Sequence, residues 1–314
     1  MATGFTPSYE EGTMTKAPAK MSTIQTRNLT RRKRWASGQW LAALIFLLPA
    51  VIALVVLRLQ PTIEAIGLAF TPTAGQGILG TFSYLLSDPD FIGALVLTLV
   101  FSAVINPLQI ALAMGLAVVM SRRVPLIGLW RTLILLPIAV PQAVSAVIWG
   151  VILRPDGPLN GILARFGIPS VPWLTSSVMA PISIIIVLSW VGVGYWMTFL
   201  VAGIKDVSPS LHEAAQLDGA NGWQAFMNVT LPGVRRILLF VLVADTVSNF
   251  LIFAPVQILT AGGPSGSTNL LMYQIYKTAY VNGDIATASA GTLILVLVVV
   301  CVVGIQFRML PGRE

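Results

Sequence analysis

The sequence is poor in cysteine, histidine and charge, and each scarcity excludes a kind of site. A single cysteine, Cys301, cannot form an internal disulfide or a cysteine-cluster metal site. A single histidine, His212, leaves no histidine-based metal site and no Ser/His/Asp catalytic set. The phosphate-binding pattern G-x-x-x-x-G-K-[ST] is also missing. We therefore predict no catalytic residue, no metal site and no cofactor bound by this chain.

Charged residues make up 10% of the chain and hydrophobic residues 56%, whereas soluble domains carry about 25% charged residues. This composition predicts an integral membrane protein, and a membrane-spanning helix needs about 20 mostly apolar residues. Six segments are long enough, which predicts an all-α polytopic protein with spans at Trp40–Leu57, Phe91–Met120, Leu126–Leu153, Val178–Ile204, Ile237–Thr260 and Ile285–Phe307. Pro107, Pro137 and Pro141 lie within these spans and predict bends, either as packing kinks or around a cavity or hinge.

The basic residues predict the orientation. With the N-terminus inside, 15 of the 19 Lys and Arg residues fall in inner segments, so both termini are expected to be cytoplasmic. Residues 1–38 are predicted to be a disordered basic tail that contacts membrane lipid, 39–309 the membrane domain, and 310–314 a short inner tail. A signal peptide is the alternative for the N-terminus, but no small-x-small cleavage site is clear. The net charge of +7 does not require nucleic acid as a partner.

A polar interval at 205–236 separates the fourth and fifth spans, and we predict two short helices within Glu213–Pro232. Ser210 is expected to cap the first helix, with Glu213 completing an S-x-x-E capping box. The face of this helix is small because it carries Ala214 and Ala215. Gly219 is expected to stop the helix by adopting a positive φ, with Asp218 capping that turn.

The second helix of this interval is predicted to end at Pro232 and to carry a bulky apolar stripe. The stripe has helical spacing and comprises Trp223, Phe226, Met227 and Thr230. We expect the bulky stripe to pack on the protein's own body and the small face of the first helix to enter a partner's groove. The alternative is an amphipathic connector that caps a helix bundle.

The residues of this interval resemble the loop of permease subunits of binding-protein-dependent ABC importers. The family pattern is Glu-Ala-Ala, three residues, Gly, nine residues, Ile, one residue and Leu-Pro. It is matched by Glu213-Ala214-Ala215, Gly219, Val229 and Leu231-Pro232, with Val replacing Ile. The resemblance implies that the loop is a coupling helix that docks on a separate ATPase subunit. In that interpretation Glu213 pairs with a basic group of the ATPase, and Gly219 allows close approach.

Other positions resemble the sugar-uptake branch of this family, which includes the maltose and glycerol-3-phosphate importers. They are Pro137, Pro141, Trp149, Trp173-Leu174, Trp190 and a Leu259-Thr260-Ala261-Gly262-Gly263-Pro264 turn followed by Thr268. The resemblance implies a compact six-span type I ABC importer permease fold. It also implies three partners: a second homologous permease, an ATP-binding subunit dimer that holds ATP and Mg²⁺, and an extracytoplasmic solute-binding protein.

Asp245 is a carboxylate well inside the fifth span, where ionisable residues are costly and usually face a cavity or a partner. It is expected either to line the solute pathway or to form a hydrogen-bonded packing contact. Asn249 lies one turn further, and Gln257, three turns from Asp245, would extend the same polar face. Sugars bind amide groups and aromatic faces, so Asn249, Phe250 and Gln257 are the predicted sugar contacts.

The predicted function is therefore that of a permease subunit that translocates a mono- or oligosaccharide by alternating access in the inner membrane. A glycerol-3-phosphate or polyol importer is the alternative within the branch. Two interpretations come from other classes. One is a proton-coupled secondary transporter that uses Asp245, and the other is a membrane scaffold without transport, which would leave the Glu213-Ala214-Ala215 loop unexplained.

Overall fold

A computed structural model describes residues 40, 42–71, 77–122 and 125–309, and this part of the chain is built from α-helices. The predicted tails 1–38 and 310–314 lie outside the described residues. We number thirteen helical elements in chain order. They are α1 Ala42–Ala69, α2 Gly80–Ser87, α3 Pro89–Ser121, α4 Ile127–Ala139, α5 Gln142–Ile152, α6 Pro158–Arg165, α7 Met179–Asp206, α8 Pro209–Leu217, α9 Gly222–Gly233, α10 Arg235–Phe250, α11 Ala254–Leu259, α12 Leu271–Tyr276 and α13 Ile285–Met309.

Four helices are each long and apolar enough to cross a membrane: α1, α3, α7 and α13. The first of these is longer than predicted. It runs for 28 residues to Ala69 and includes Arg58, which lies just beyond the predicted span Trp40–Leu57. Most of α1 belongs to a separate compact unit that ends at Ile63. The remaining elements belong to the unit 64–314.

The predicted third span at 126–153 is bent, as Pro137 and Pro141 predicted, and its two parts α4 and α5 meet at an angle of 99°. The last turn of α4, Leu136–Ala139, is a tighter 3₁₀ turn that begins with Leu136-Pro137. Pro141 then adopts an extended conformation with φ −54° and ψ 140°. A proline cannot donate a backbone hydrogen bond, and it disfavours a helical conformation in the residue before it, so the pair of prolines breaks the span.

The fifth span also differs from the predicted 237–260 segment. The helix α10 ends at Phe250, and α11 begins at Ala254 after a short irregular stretch. At its other end, α10 is bent by 73° from α9, with Val234 at the bend. Pro232 therefore does not end the second loop helix as predicted, since α9 continues to Gly233.

The bundle is held together by close packing of α3, α7 and α10 around a buried apolar cluster. Two glycines of α7 permit this packing. A Cβ at Gly194 would lie 2.4 Å from the carbonyl oxygen of Ile134 in α4, and a Cβ at Gly203 would lie 2.4 Å from Ile237 Cγ2 in α10. At the bend, a Cβ at Gly233 would lie 2.7 Å from Val207 Cγ2, and Val234 is buried. The bend is thus packed directly on the end of α7.

Buried polar side chains hold two of the segments between the long helices. Between α5 and α7, the Asn160 amide donates to the carbonyls of Arg154, Pro155 and Val171, and its Oδ1 accepts from Val171 N at 3.0 Å and from Trp173 Nε1 at 3.1 Å. After α11, Thr268 Oγ1 donates to Gly263 O at 2.7 Å, which closes the predicted Gly-Gly-Pro turn. A π-helical turn at Lys277–Val281 continues α12.

Candidate coupling loop and transport cavity

The coupling loop, which we define as α8, α9 and the turn between them, is confirmed as two short helices. The helix α8 ends as predicted at Gly219, whose φ is +76°. Gly219 N donates to Gln216 O at 3.1 Å, and Ala220 N donates to Ala215 O at 2.9 Å. This pair of bonds is the Schellman arrangement, which satisfies the last carbonyl groups of the helix. Asp218 is the C-cap residue of this turn.

The predicted capping box at Ser210 and Glu213 is wrong. The helix begins at Pro209 with Ser208 as its N-cap, and Ser210 Oγ instead lies 2.8 Å from Ser208 Oγ. A proline at the first helical position has no N–H to satisfy, which favours a start two residues earlier than predicted. The Glu213 side chain is therefore not used as a helix cap, and it is exposed.

A capping box does exist at the start of the second helix. Asn221 Oδ1 accepts from Gln224 N at 2.9 Å, and Gln224 Oε1 accepts from Asn221 N at 2.8 Å. The sequence analysis missed this pair, although an N-x-x-Q pattern is a usable signal for such a box. The two helices are also joined by the side chains of His212 and Thr230, whose Nε2 and Oγ1 lie 3.1 Å apart.

The apolar side chains of the loop are divided between the protein body and the surface. Phe226 of the bulky stripe packs on the cluster formed by α3, α7 and α10 as predicted, and Leu231 packs there as well. In contrast, Trp223 and Met227 of the stripe are 66% and 42% exposed, and Leu217 of the first helix is 89% exposed. The prediction that the bulky stripe as a whole would pack inward is therefore wrong, because its outer half faces away from the protein body.

The surface of the loop thus combines small, acidic and large apolar groups. Ala214, Glu213, Asp218 and Pro232 are exposed, and Ala215 and Leu231 are half-buried. Large exposed apolar side chains next to polar ones are typical of protein interaction sites. This arrangement is suited to docking on another protein.

A cavity of about 230 Å³ lies among α3, α4, α5, α7 and α10. Its polar lining includes Gln109, Gln142, Tyr195, Asp245, Ser248 and Asn249. This volume lies just below the roughly 300–1,000 Å³ of typical small-molecule sites, so it suits a small solute or one unit of a longer one. Amide groups, a carboxylate and aromatic rings are the groups that bind hydroxyl-rich molecules.

Asp245 and Asn249 lie together at the cavity wall, as the helical spacing predicted, and are 1% and 6% exposed. Asn249 Nδ2 donates to Asn106 Oδ1 at 2.7 Å, and Asn106 Nδ2 donates to Thr246 Oγ1 at 2.9 Å. Gln306 of α13 also donates to Thr246 Oγ1, at 2.7 Å. These bonds connect three spanning helices through one buried polar network.

Gln109 completes the site, and sequence reasoning missed it. Its Oε1 is placed 3.2 Å from Asn249 Nδ2. Exchanging its amide oxygen and nitrogen, which have the same shape, brings the nitrogen 2.7 Å from Asp245 Oδ1. Gly192 allows this approach, since a Cβ there would lie 3.2 Å from Gln109 Nε2. The available signal was that Asn106 and Gln109 lie three residues apart on one face of an apolar helix.

The two other predicted sugar contacts lie elsewhere. Phe250 is 1% exposed and packs in an apolar cluster with Phe91, Leu271 and Ile275, away from the cavity lining. Gln257 belongs to α11, beyond the break in the fifth span, so it does not extend the face of Asp245 as predicted. Its Oε1 is buried and has no hydrogen-bond partner within the part of the chain that the structure describes.

Comparisons with known proteins agree with this architecture. A family model described as "binding-protein-dependent transport system inner membrane component" matches residues 109–313. The sn-glycerol-3-phosphate transport system permease protein UgpA of Agrobacterium fabrum is 33% identical over 237 residues, which cover 75% of this chain and 80% of the relative. The lactose transport system permease protein LacF of Rhizobium radiobacter is 30% identical over 282 residues, covering 86% and 94%.

The fold is similar to that of a solved bacterial alginate ABC transporter in complex with an alginate pentasaccharide-bound periplasmic protein. One chain of that structure superimposes with a TM-score of 0.77 at 22% identity, covering 88% of this chain and 96% of that chain. The type I importer permease fold implied by the loop residues is thus confirmed. The chain is a multi-pass membrane protein that belongs to the family of binding-protein-dependent transport system inner membrane components.

Proposed function

We propose that this chain is the permease subunit of an ATP-driven importer that translocates a carbohydrate delivered by a solute-binding protein. The observation that carries the proposal is the position of the coupling loop. The loop directly connects α7 and α10, and these two helices contribute Trp196 and Asp245 to the cavity wall. A force applied to the loop therefore acts on the helices that shape the cavity.

The energy source is a separate subunit, since the sequence has no Walker-type nucleotide site. In this proposal an ATP-binding subunit dimer holds ATP and Mg²⁺ and contacts Glu213, Ala214, Ala215, Asp218, Gly219, Leu231 and Pro232. The exposed Leu217 and Trp223 add apolar area to that contact. The loop 205–236 and both termini are cytoplasmic, as the distribution of Lys and Arg supports.

A second homologous permease completes the pathway, with membrane lipid around both subunits. Residues 39–309 form the permease domain, and 1–38 and 310–314 are cytoplasmic tails. The solute contacts are assigned to Asp245 and Asn249, together with Gln109, because these side chains line the cavity. A glycerol-3-phosphate or polyol solute is the second candidate, which is favoured by the 33% identity to a glycerol-3-phosphate permease.

The experiment is solute uptake into proteoliposomes that contain the complete importer. Glu213→Ala is expected to lower uptake about tenfold or more, because truncating one partner of a buried interfacial charge pair costs roughly 2–5 kcal/mol. Asn228→Ala is the control, since Asn228 is exposed on the same loop and outside the assigned contacts. Uptake that persists when residues 208–232 are replaced by a Gly/Ser linker would contradict the proposal.

The scaffold and the proton-coupled transporter are no longer favoured as interpretations. Membership of a binding-protein-dependent transport family gives the loop a role that a scaffold would not need. Membership of this family also implies that transport is driven by something other than a proton gradient. A proton-coupled transporter predicts that Asp245→Asn abolishes uptake and that Glu213→Ala has little effect, which is opposite to the expected dependence on the loop.

A further inference from the structure

A second pocket, which we call the outer pocket, lies at the end of the bundle opposite the coupling loop. Its volume of about 360 Å³ falls within the range of small-molecule sites. Asp90 of the pocket is in the first turn of α3, whereas Met120, near the other end of α3, belongs to the cluster that holds Phe226 of the loop. The 33 residues of α3 therefore separate pocket and loop by roughly 50 Å. The pocket is lined by Asp90, Ala261, Gly262, Gly263, Ser265, Gly266, Asn269, Tyr273 and Lys277.

The polar groups of the outer pocket are accessible, unlike the buried Asp245 of the cavity. Asp90 and Ser265 are exposed, and Lys277 is half-buried. They supply a carboxylate acceptor, a hydroxyl that both donates and accepts, and an ammonium donor. The exposed backbone N–H of Gly266 donates to no acceptor within the described ranges, so it is a further available donor. This mixture suits a ligand whose groups both donate and accept, as sugar hydroxyls do.

A row of aromatic rings leads away from the pocket. The ring centroid of Tyr273, in the pocket wall, lies 6.4 Å from that of Tyr276, which lies 5.2 Å from that of Tyr280. Exposure rises along the row from 7% at Tyr273 to 78% at Tyr280, so the row reaches the surface. Tyrosines near the ends of spans commonly anchor a protein at the membrane interface. Beside a polar pocket, such rings also offer flat apolar faces on which the C–H groups of a sugar ring can pack.

One layer of apolar side chains connects the outer pocket to the transport cavity. Tyr273 of the pocket wall belongs to a buried cluster that also contains Leu188 and Ile252. These two residues line the cavity that holds Asp245. A solute in the outer pocket is thus one side-chain cluster away from the cavity, and separation of that cluster would join the two sites.

We infer that the outer pocket is a carbohydrate entry site, which holds the solute before it reaches the cavity. The inference rests on the proposed function and adds a second solute site to it. Asp90 accepts from sugar hydroxyls, Lys277 donates to them, and the neighbouring tyrosine rings pack on the apolar face of the sugar. In the proposed importer, this is the side on which the solute-binding protein releases its solute.

The test measures how a sugar protects cysteines in the outer pocket from alkylation by a maleimide. Ser265→Cys and Ala261→Cys are made separately in a Cys301→Ala chain, so that the test does not depend on one variant. The permease is assembled with its partner subunits in nanodiscs, without the solute-binding protein, and maltose and glucose at millimolar concentration are the probes. At least one sugar is expected to slow alkylation at both positions. Asp156→Cys, at an exposed position outside the pocket, should be alkylated at an unchanged rate.

Two substitutions test the assigned contacts. Asp90→Asn and Lys277→Gln, each in the Ser265→Cys chain, are expected to raise the sugar concentration for half-protection about tenfold, because each removes a hydrogen bond to a charged group. Asp156→Asn is the control for Asp90→Asn, since it changes the net charge equally outside the pocket and should leave that concentration unchanged. Half-protection that is the same in all of these variants would overturn the assignment of the site.

Ser248→Cys reports on the cavity in the same assay and distinguishes the two levels of the argument. Protection at Ser248→Cys, but at neither pocket position, overturns the entry site and leaves carbohydrate import standing. No protection at any of the three positions overturns carbohydrate binding by this chain and counts against the proposed function as well. Protection of the pocket positions by the solute-binding protein, but by neither sugar, would identify the pocket as a protein contact and overturn the inference.

Discussion

The Nε2 atom of His212 lies 3.1 Å from Thr230 Oγ1, and this contact joins the two helices of the coupling loop. Thr230 is buried at the end of the loop that leads into α10, whereas His212 lies in the first helix, next to Glu213. The lone histidine of the chain is thus a structural link inside the loop. It lies next to Glu213, which belongs to the proposed docking surface.

We expect Thr230→Val to loosen this link without changing the shape of the side chain. The lost hydrogen bond should lower the free energy of unfolding by about 1 kcal/mol. Solute uptake should fall more than ATP hydrolysis, since the loop would transmit movement less faithfully. Thermal unfolding and the ratio of transport to hydrolysis are the measurements, and an unchanged ratio would show that the contact has no part in coupling.

Gly219→Ala is expected to destabilise the loop because Gly219 has a φ of +76°. An L-residue with a side chain pays about 1–2 kcal/mol in this left-handed conformation. Gly222→Ala is the matched control, since a Cβ there meets nothing within 4 Å and the residue has no positive φ. Pull-down of the ATPase subunit should weaken for Gly219→Ala and stay unchanged for the control.

Asn106→Ala should destabilise the membrane domain by removing the centre of the buried polar network. Asn249 Nδ2 would lose its 2.7 Å acceptor, and Thr246 would lose one donor. Leaving such groups unsatisfied costs roughly 1–3 kcal/mol. Thr132→Val serves for comparison, because the Thr132 hydroxyl is exposed and bonds only within its own helix. Equal melting temperatures of the two variants would argue against the network.

Gly194→Ala is expected to separate α7 from α4. The added Cβ would lie 2.4 Å from the Ile134 carbonyl oxygen, a backbone atom that cannot rotate away. Overpacking of this kind costs roughly 1–3 kcal/mol. Gly115→Ala in α3 is the control, with nothing within 4 Å of its added Cβ. Thermal unfolding in detergent should distinguish the two, and equal stability would contradict the predicted clash.

Asn160→Ala is expected to increase the flexibility of the segment between α5 and α7. The Asn160 amide accepts from Val171 N and donates to three carbonyls, so its loss removes several bonds that hold this segment. Faster amide hydrogen exchange is expected at 154–177, measured with the protein in nanodiscs. Ser177→Ala, at an exposed position of the same segment, should leave exchange unchanged.

The spans and the loop were predictable because they depend on local patterns. Runs of apolar residues located the membrane helices, and the Glu-Ala-Ala, Gly and Leu-Pro spacing located the coupling loop. The positive φ of Gly219 also followed from its place at the end of an Ala-rich helix. These features need little information from distant parts of the chain.

The errors arose where distant contacts decide the structure. Hydropathy alone did not show that α4 and α5 are bent by 99°, although Pro137 and Pro141 marked the position. Helical spacing placed Gln257 with Asp245, but the chain breaks after Phe250. Gln109 was missed because its role depends on Gly192 in another helix. The assignment of Ser210 as a cap failed for a local reason instead, because the neighbouring Pro209 starts the helix earlier.

The bend at Val234 has a mechanical consequence. A Cβ added at Gly233 would lie 2.7 Å from Val207 Cγ2, so α10 begins in direct contact with the end of α7. In the proposed importer, a tilt of the coupling loop would therefore shift both helices together with Trp196 and Asp245, which line the cavity. Rotation of the loop on the ATPase subunit would then set the width of that cavity.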